Sequence, residues 1–144
     1  MPNPTTILDD VTHLARKMHT VFDNMVRKRG QSLARARVLR RLQTAGAGDN
    51  QKALAEYLEI EGPTVVRLLD SLEQLGCIER QTADGDRRSK QIVLTEEGRK
   101  QAAEVEDIAR RFRRALFANI DPTEIEAARK VIAQLHSNLL ELAQ

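Results

Sequence analysis

The stretch EGPTVVRLLDSLEQLGCIERQTADGDRRSKQIVLT, residues 61–95, decides the fold. Val65, Leu68, Leu69 and Leu72 recur at i, i+3, i+4 and i+7, which predicts a short helix with one buried stripe. Pro63 falls in the first turn, where a missing N–H costs nothing. On the opposite arc lie Pro63, Arg67, Ser71 and Gln74, with Thr64 at its edge. Gly76 stops the helix. Ile78–Gln81 and Gln91–Leu94 then read as two brief strands, with the turn signal Asp84-Gly85 and the cationic run Asp86-Arg87-Arg88 in the loop between them. A helix with a polar outer face, followed at once by a hairpin with a charged tip, offers a duplex two elements. One suits the major groove, and the other suits the minor groove or the phosphates beside it.

Helical periodicity extends in both directions. Towards the N-terminus, Ile7, Val11, Leu14, Met18, Phe22 and Met25 alternate in steps of four and three from Thr6 to about Lys28, ending at Gly30. Ser32 is placed to cap a second helix with Val38, Leu39 and Leu42 inward, closed by Gly46 and Gly48. Asn50 is placed to cap a third, containing Leu54, Ala55 and Leu58. Beyond the strands, Thr95 starts a long helix to about Asn119, with Val105, Ala109, Phe112 and Leu116 on one face. Asp121-Pro122 opens a last helix whose Ile125, Ala128, Ile132, Leu135, Leu139 and Leu142 keep a heptad-like stripe. Such a stripe needs another helix against it, either within the monomer or on a second copy. A two-fold DNA reader needs two copies to span two half-sites, which favours the second copy.

Composition narrows the function classes. With 144 residues the chain is one domain or a small two-part unit with room for a real core. Phe22, Phe112, Phe117 and Tyr57 are its only aromatics, so the core must come from Leu, Val, Ile and Ala. No apolar run resembles a secretory signal or a membrane span, and a single cysteine, Cys77, makes no internal disulfide. A cytoplasmic protein is expected. Net charge is only +2, and it is unevenly spread: residues 1–49 carry 9 Lys/Arg against 4 Asp/Glu, residues 50–95 carry 6 against 8. Bulk charge therefore does not announce a nucleic-acid partner; the placement of a few cations must. His13, His19 and His136 show no metal spacing and no glycine-rich phosphate loop is present, so no enzyme, metal or cofactor is expected.

Residues 50–98 also carry a resemblance. Leu54-Ala55-Glu56-Tyr57-Leu58, the run Pro63 to Glu73, Gly76, Glu79-Arg80, Asp86-Arg87-Arg88 and Val93-Leu94-Thr95-Glu96-Glu97-Gly98 resemble the MarR family of bacterial transcription regulators. Ile60-Glu61-x-Pro63 and Arg80-Gln81-Thr82 are similar to its SlyA-type branch. The resemblance implies a mostly α fold with a small β-hairpin wing: a winged helix-turn-helix lobe at 32–98, a connecting helix at 99–119, and a helical dimerisation region from 1–31 and 120–144. It implies a homodimer on double-stranded DNA with a pseudo-palindromic operator. Val11, Met18, Ile132, Leu135, Leu139 and Leu142 are the expected dimer contacts.

By the same resemblance, Pro63, Thr64, Arg67 and Ser71 belong to the recognition helix. Arg67 is the first candidate for a base or phosphate contact, since its guanidinium can bind guanine O6 and N7 with two bonds. In the wing, Arg88 would enter the minor groove with Asp86 orienting it, while Arg87 and Lys90 would touch phosphate. Asn50, Gln51 and Lys52 stand at a helix N-terminus suited to a phosphate. Of the second-helix arginines Arg35, Arg37, Arg40 and Arg41, a DNA-facing role and a solvated or effector-facing one remain open. The family also implies a small aromatic or anionic effector, with His13, Arg16, His19, Ala36 and Arg40 as pocket candidates. Arg35-Ala36-Arg37 departs from the family there, because an aromatic residue is usual near Ala36. Cys77 follows Gly76 at an apolar position entering a strand, which predicts a buried, inert thiol rather than a redox sensor. Repression is the expected mode. An activator or counter-silencer would use the same DNA contacts, and a winged protein-interaction module without DNA is the rival reading.

Overall fold

The computed structural model describes residues 3–45, 49–83 and 86–144, and the side chains of all of these except 83 and 86–89. In chain order the elements are α1 (Pro4–Arg27), α2 (Leu33–Ala45), α3 (Gln51–Leu58), α4 (Gly62–Gln74), β1 (Ile78–Ala83), β2 (Asp86–Leu94), α5 (Glu96–Leu116) and α6 (Pro122–Leu142). The chain divides into two compact units, Met1–Arg111 and Phe112–Gln144. The expected stop at Gly46 and Gly48 and the expected turn at Asp84-Gly85 lie outside the described residues.

The starts of α1, α2 and α3 are set by short polar side chains. Asn3 accepts the N–H of Thr5, Ser32 Oγ accepts that of Arg35 at 3.2 Å, and Asn50 Oδ1 accepts that of Ala53 at 2.8 Å. Each satisfies a donor the first helical turn would otherwise leave open. Helix α4 closes through Gly76, whose φ of +75° suits glycine. That conformation turns the Cys77 N–H back onto the Leu72 carbonyl at 2.9 Å, and the Gly76 N–H reaches that of Glu73 at 3.0 Å. The reversal delivers the chain straight into β1.

The core follows the predicted stripes. Val38, Leu39, Leu54, Val65, Leu69, Leu72, Ile78, Ile92 and Val105 are fully buried, and Leu68 packs beside them. Each such side chain contributes roughly 1.5–3 kcal/mol relative to exposure. Helix α1, expected in the dimerisation region, ends in this core: Val26 is completely buried, and Phe22 and Met25 pack against it. Its earlier stripe of Ile7, Val11 and Leu14 is exposed.

Strands β1 and β2 pair antiparallel with Ile78 opposite Leu94, Arg80 opposite Ile92 and Thr82 opposite Lys90. Both strands outrun the sequence expectation. Lys90 and the backbone of Asp86-Arg87-Arg88, expected in a loop, are strand. Ladder bonds run through the backbone, so pairing continues past the point where apolar alternation ends. A short third segment joins the sheet: Asn50 bridges to Gln91, and the Ile92 N–H donates to the Asp49 carbonyl at 2.8 Å. At the far end, Thr95 Oγ1 donates to the Gly76 carbonyl at 2.6 Å and accepts the Gly98 N–H at 3.0 Å, capping α5.

In the second unit, Asn119, the expected end of the α5 run, takes φ +64°, a left-handed conformation. Asp121 caps α6 by accepting the Thr123 N–H at 2.8 Å and its hydroxyl at 2.7 Å. No α6 residue is buried. Ile132, Leu139 and Leu142 are 60 %, 63 % and 81 % exposed.

Candidate nucleic-acid interface

Helix α4 has a buried face of Val65, Leu69 and Leu72, and this aims the rest of its circumference outwards. Pro63, Thr64 and Arg67 are exposed and Ser71 is half-buried, all on the predicted outer arc. Arg67 makes no hydrogen bond or ion pair within the chain among the described residues. Its guanidinium is thus available at the surface, three residues from the carboxylate of Asp70.

That carboxylate is held elsewhere. Arg80 of β1 donates from Nη2 to Asp70 Oδ1 at 2.8 Å and from Nη1 to Glu73 Oε2 at 3.0 Å. Strand pleating puts Arg80 on the same side as Ile78, towards α4, and this side chain is only 20 % exposed. The clamp joins the helix to the first strand of the hairpin. Sequence spacing alone did not reveal it. The only local hint was a pair of carboxylates three residues apart on one helix.

On the hairpin, Lys90 is exposed on β2 opposite Thr82. The side chains of Asp86, Arg87 and Arg88 lie outside the described residues. At the start of α3, Gln51 and Lys52 are exposed, while Asn50 spends its side chain on the helix cap.

Most of the second-helix arginines have structural partners. Arg35 donates to the Gly30 carbonyl at 3.1 Å, and Arg40 to Glu106 of α5 at 3.1 Å. Arg41 pairs with Asp49 at 3.0 Å and lies 4.4 Å over the Tyr57 ring. Arg37 is exposed and unpaired among the described residues. It lies with Arg40, Thr44 and Tyr57 around a hollow of about 140 Å³.

The five expected effector residues lie on α1 and α2. His13 and Arg16 are exposed on α1, His19 lines a wide open hollow beside Asp23 and Arg37, and Arg40 lines the smaller one. Ala36 is completely buried in the core, where a larger side chain would have to displace its neighbours. Cys77 is 2 % exposed. Burial foremost, and then the Glu97 carboxylate, push its thiol above the usual range, as an inert role requires.

The profile of the MarR family matches residues 30–89, the span from the start of α2 into β2. The transcriptional regulator PA3341 is 32% identical over 94% of this chain and 98% of its own, with a TM-score of 0.80. The chain belongs to the MarR family. A MarR transcriptional regulator from Methanosarcina mazei Go1 is 26% identical over 96% of this chain and 99% of its own, again with a TM-score of 0.80. MepR of S. aureus, solved as a DNA complex, shares the fold at 23% identity over 96% of this chain and 99% of its own, with a TM-score of 0.78.

The MarR-family match ends just inside β2, and within it lie both halves of the α4–β1 clamp. The six helices and two-stranded wing among the described residues are those of a winged helix-turn-helix MarR regulator. Among the described residues, no helix is long and apolar enough to cross a membrane.

Proposed function

We propose that this MarR-family chain is a homodimeric, sequence-specific DNA-binding regulator of transcription. Each subunit presents α4 to a major groove and the β1–β2 wing to the neighbouring minor groove, over the two halves of a pseudo-palindromic operator. The observation that carries the reading is Arg67: a guanidinium unpaired among the described residues, on the exposed arc of a helix whose other face is locked in the core. Arginine in that setting suits two bonds to guanine O6 and N7. Thr64 and Ser71 are short enough for phosphate or a thymine methyl. Lys90, Gln51 and Lys52 supply sequence-independent phosphate contacts, and Arg88, oriented by Asp86, is the minor-groove residue. The likeness to MepR, solved with DNA bound, supports a DNA partner.

A second copy is supported by the exposed apolar stripes of α1 (Val11, with Met18 half-exposed) and α6 (Ile132, Leu139, Leu142, with Leu135 half-exposed). Clustered apolar exposure of this kind marks an association surface. The mode proposed is repression relieved by a small aromatic or anionic effector. The cationic hollow at Arg37, Arg40, Thr44 and Tyr57 supports an anion of that size.

Selection of bound sequences from random DNA tests the reading, repeated with aromatic acids present. A palindromic consensus is expected, and enrichment of no sequence would refute it. On the selected site, Arg67→Ala is expected to cost about 1–3 kcal/mol and to relax one base pair per half-site. Arg88→Ala is expected to weaken binding strongly while the dimer persists. Unchanged gel-shift titrations would remove each assignment in turn, and binding indifferent to every acid would remove the effector.

A further inference from the structure

We propose that Arg80 is a positioning residue for DNA recognition: by holding Asp70 and Glu73, it keeps Arg67 free to reach a base. The inference rests on the reading of α4 as the recognition helix. Asp70 lies three residues after Arg67, and side chains at that spacing are neighbours on a helix surface. An Asp70 carboxylate without a partner would draw in the Arg67 guanidinium and form the local ion pair common at i, i+3. Elsewhere in this chain i, i+3 pairing does form, with the acid first in sequence rather than the arginine, between Asp107 and Arg110 at 3.2 Å and between Glu126 and Arg129 at 3.0 Å. At Asp70 it does not. The 2.8 Å bond from Arg80 occupies Oδ1, and the 3.0 Å bond to Glu73 fixes the other arm of the same guanidinium.

Geometry gives Arg80 the advantage over Arg67. Arg80 projects from a strand whose neighbour Ile78 is buried and whose partner Ile92 is buried, so its stem is already ordered before it meets a carboxylate. It is 20 % exposed, against 56 % for Asp70 and 47 % for Glu73. Both carboxylates are reached at once by a planar fork, which a lysine cannot reproduce. The same clamp ties α4 to the first wing strand.

Loss of Arg80 has two separable consequences. Two uncompensated carboxylates near a duplex repel phosphate, and this lowers affinity for every sequence alike. Capture of Arg67 by Asp70 lowers affinity only where Arg67 reads a base. Discrimination therefore isolates the proposed role: the affinity ratio between the selected site and a site altered at the base pair that Arg67→Ala relaxes.

The test measures that ratio by fluorescence anisotropy for the full-length wild type, Arg67→Ala, Arg80→Ala, Arg80→Lys and the double variant Arg80→Ala/Asp70→Asn. Arg80→Ala is expected to lose about tenfold in discrimination, the scale of one base contact. Arg80→Lys is expected to fall between it and the wild type, and it carries the test if Arg80→Ala does not fold. Asp70→Asn in the Arg80→Ala background is expected to restore most of the ratio, since a neutral amide does not capture Arg67. Wild-type discrimination in Arg80→Ala or Arg80→Lys would overturn the proposal. So would a loss that Asp70→Asn leaves unrepaired, which would make Arg80 a purely structural tie. Failure of the underlying reading looks different: either the wild type selects no sequence, or Arg67→Ala leaves the ratio unchanged whatever Arg80 does.

Discussion

Replacing Gly98 with alanine opposes two effects of known size. Gly98 sits in the first turns of α5, where helix propensity alone favours alanine by about 1 kcal/mol. The structure opposes that gain. A Cβ at Gly98 would stand 2.8 Å from the Cys77 carbonyl carbon, nearer still to its oxygen, and 3.1 Å from Leu94 Cδ2. The Cys77 carbonyl is not free to yield. It accepts the Thr95 N–H at 3.0 Å, in the junction where Thr95 also holds Gly76 and caps α5. Overpacking typically costs about 1–3 kcal/mol, and the upper part of that range applies when the obstacle is backbone. The expected net change is a loss of about 2 kcal/mol in spite of the propensity gain. Gly62, the first residue of α4, is the control: a Cβ there meets nothing within 4 Å and its φ is not left-handed. Gly62→Ala is expected to gain about 0.5 kcal/mol by restricting the unfolded chain. Urea unfolding followed by circular dichroism, at matched chain concentration, reads both variants on one scale. A Gly98→Ala protein as stable as the wild type, or more so, would refute the close approach of α5 to the head of β1.

Three further outcomes are expected. Leu135→Asp combined with Leu139→Asp should yield monomers in sedimentation velocity, since Leu139 is largely exposed and tolerates charge in a single chain; an intact dimer would exclude α6 from the interface. Cys77 should react slowly with iodoacetamide in the native protein, even at pH values where ordinary thiols ionise, and quickly in urea, because burial raises its pKa; equal rates would show an accessible thiol. Asp23 accepts from Arg27 at 2.7 Å and from the Leu33 N–H at 3.0 Å, and these bonds, Arg27 first, hold its carboxyl below the usual range. Its contribution to stability is therefore complete above the ordinary aspartate pKa and is lost as pH falls through the lowered one. The stability gap between wild type and Asp23→Asn should close on acidification, and a gap that widens towards low pH would reverse the assignment.

The sequence alone determined whatever repeats locally. The 3.6-residue stripe of Val65, Leu69 and Leu72, the caps at Ser32, Asn50 and Asp121, and the stop at Gly76 each depend on neighbours within a few residues. Those features stand in the structure where periodicity and capping chemistry put them, because one turn of helix is enough to express them. The outer arc carrying Arg67 was legible for the same reason: burial of one face leaves the other exposed.

Tertiary structure decided which α2 arginines have partners within the chain. Arg35, Arg40 and Arg41 were indistinguishable from DNA-facing residues in the sequence. Their partners Gly30, Glu106, Asp49 and the Tyr57 ring were identified only by the packing of neighbouring elements and loops. Folding likewise extended the strands beyond their apolar alternation, since ladder bonds belong to the backbone, and it buried Ala36 in the core. Arg80 is the sharpest case. It lies ten positions from Asp70 along the chain, and β1 brings it onto that carboxylate, three residues from Arg67. An ion pair depends on distance in space, and only the fold converts ten residues of separation into 2.8 Å.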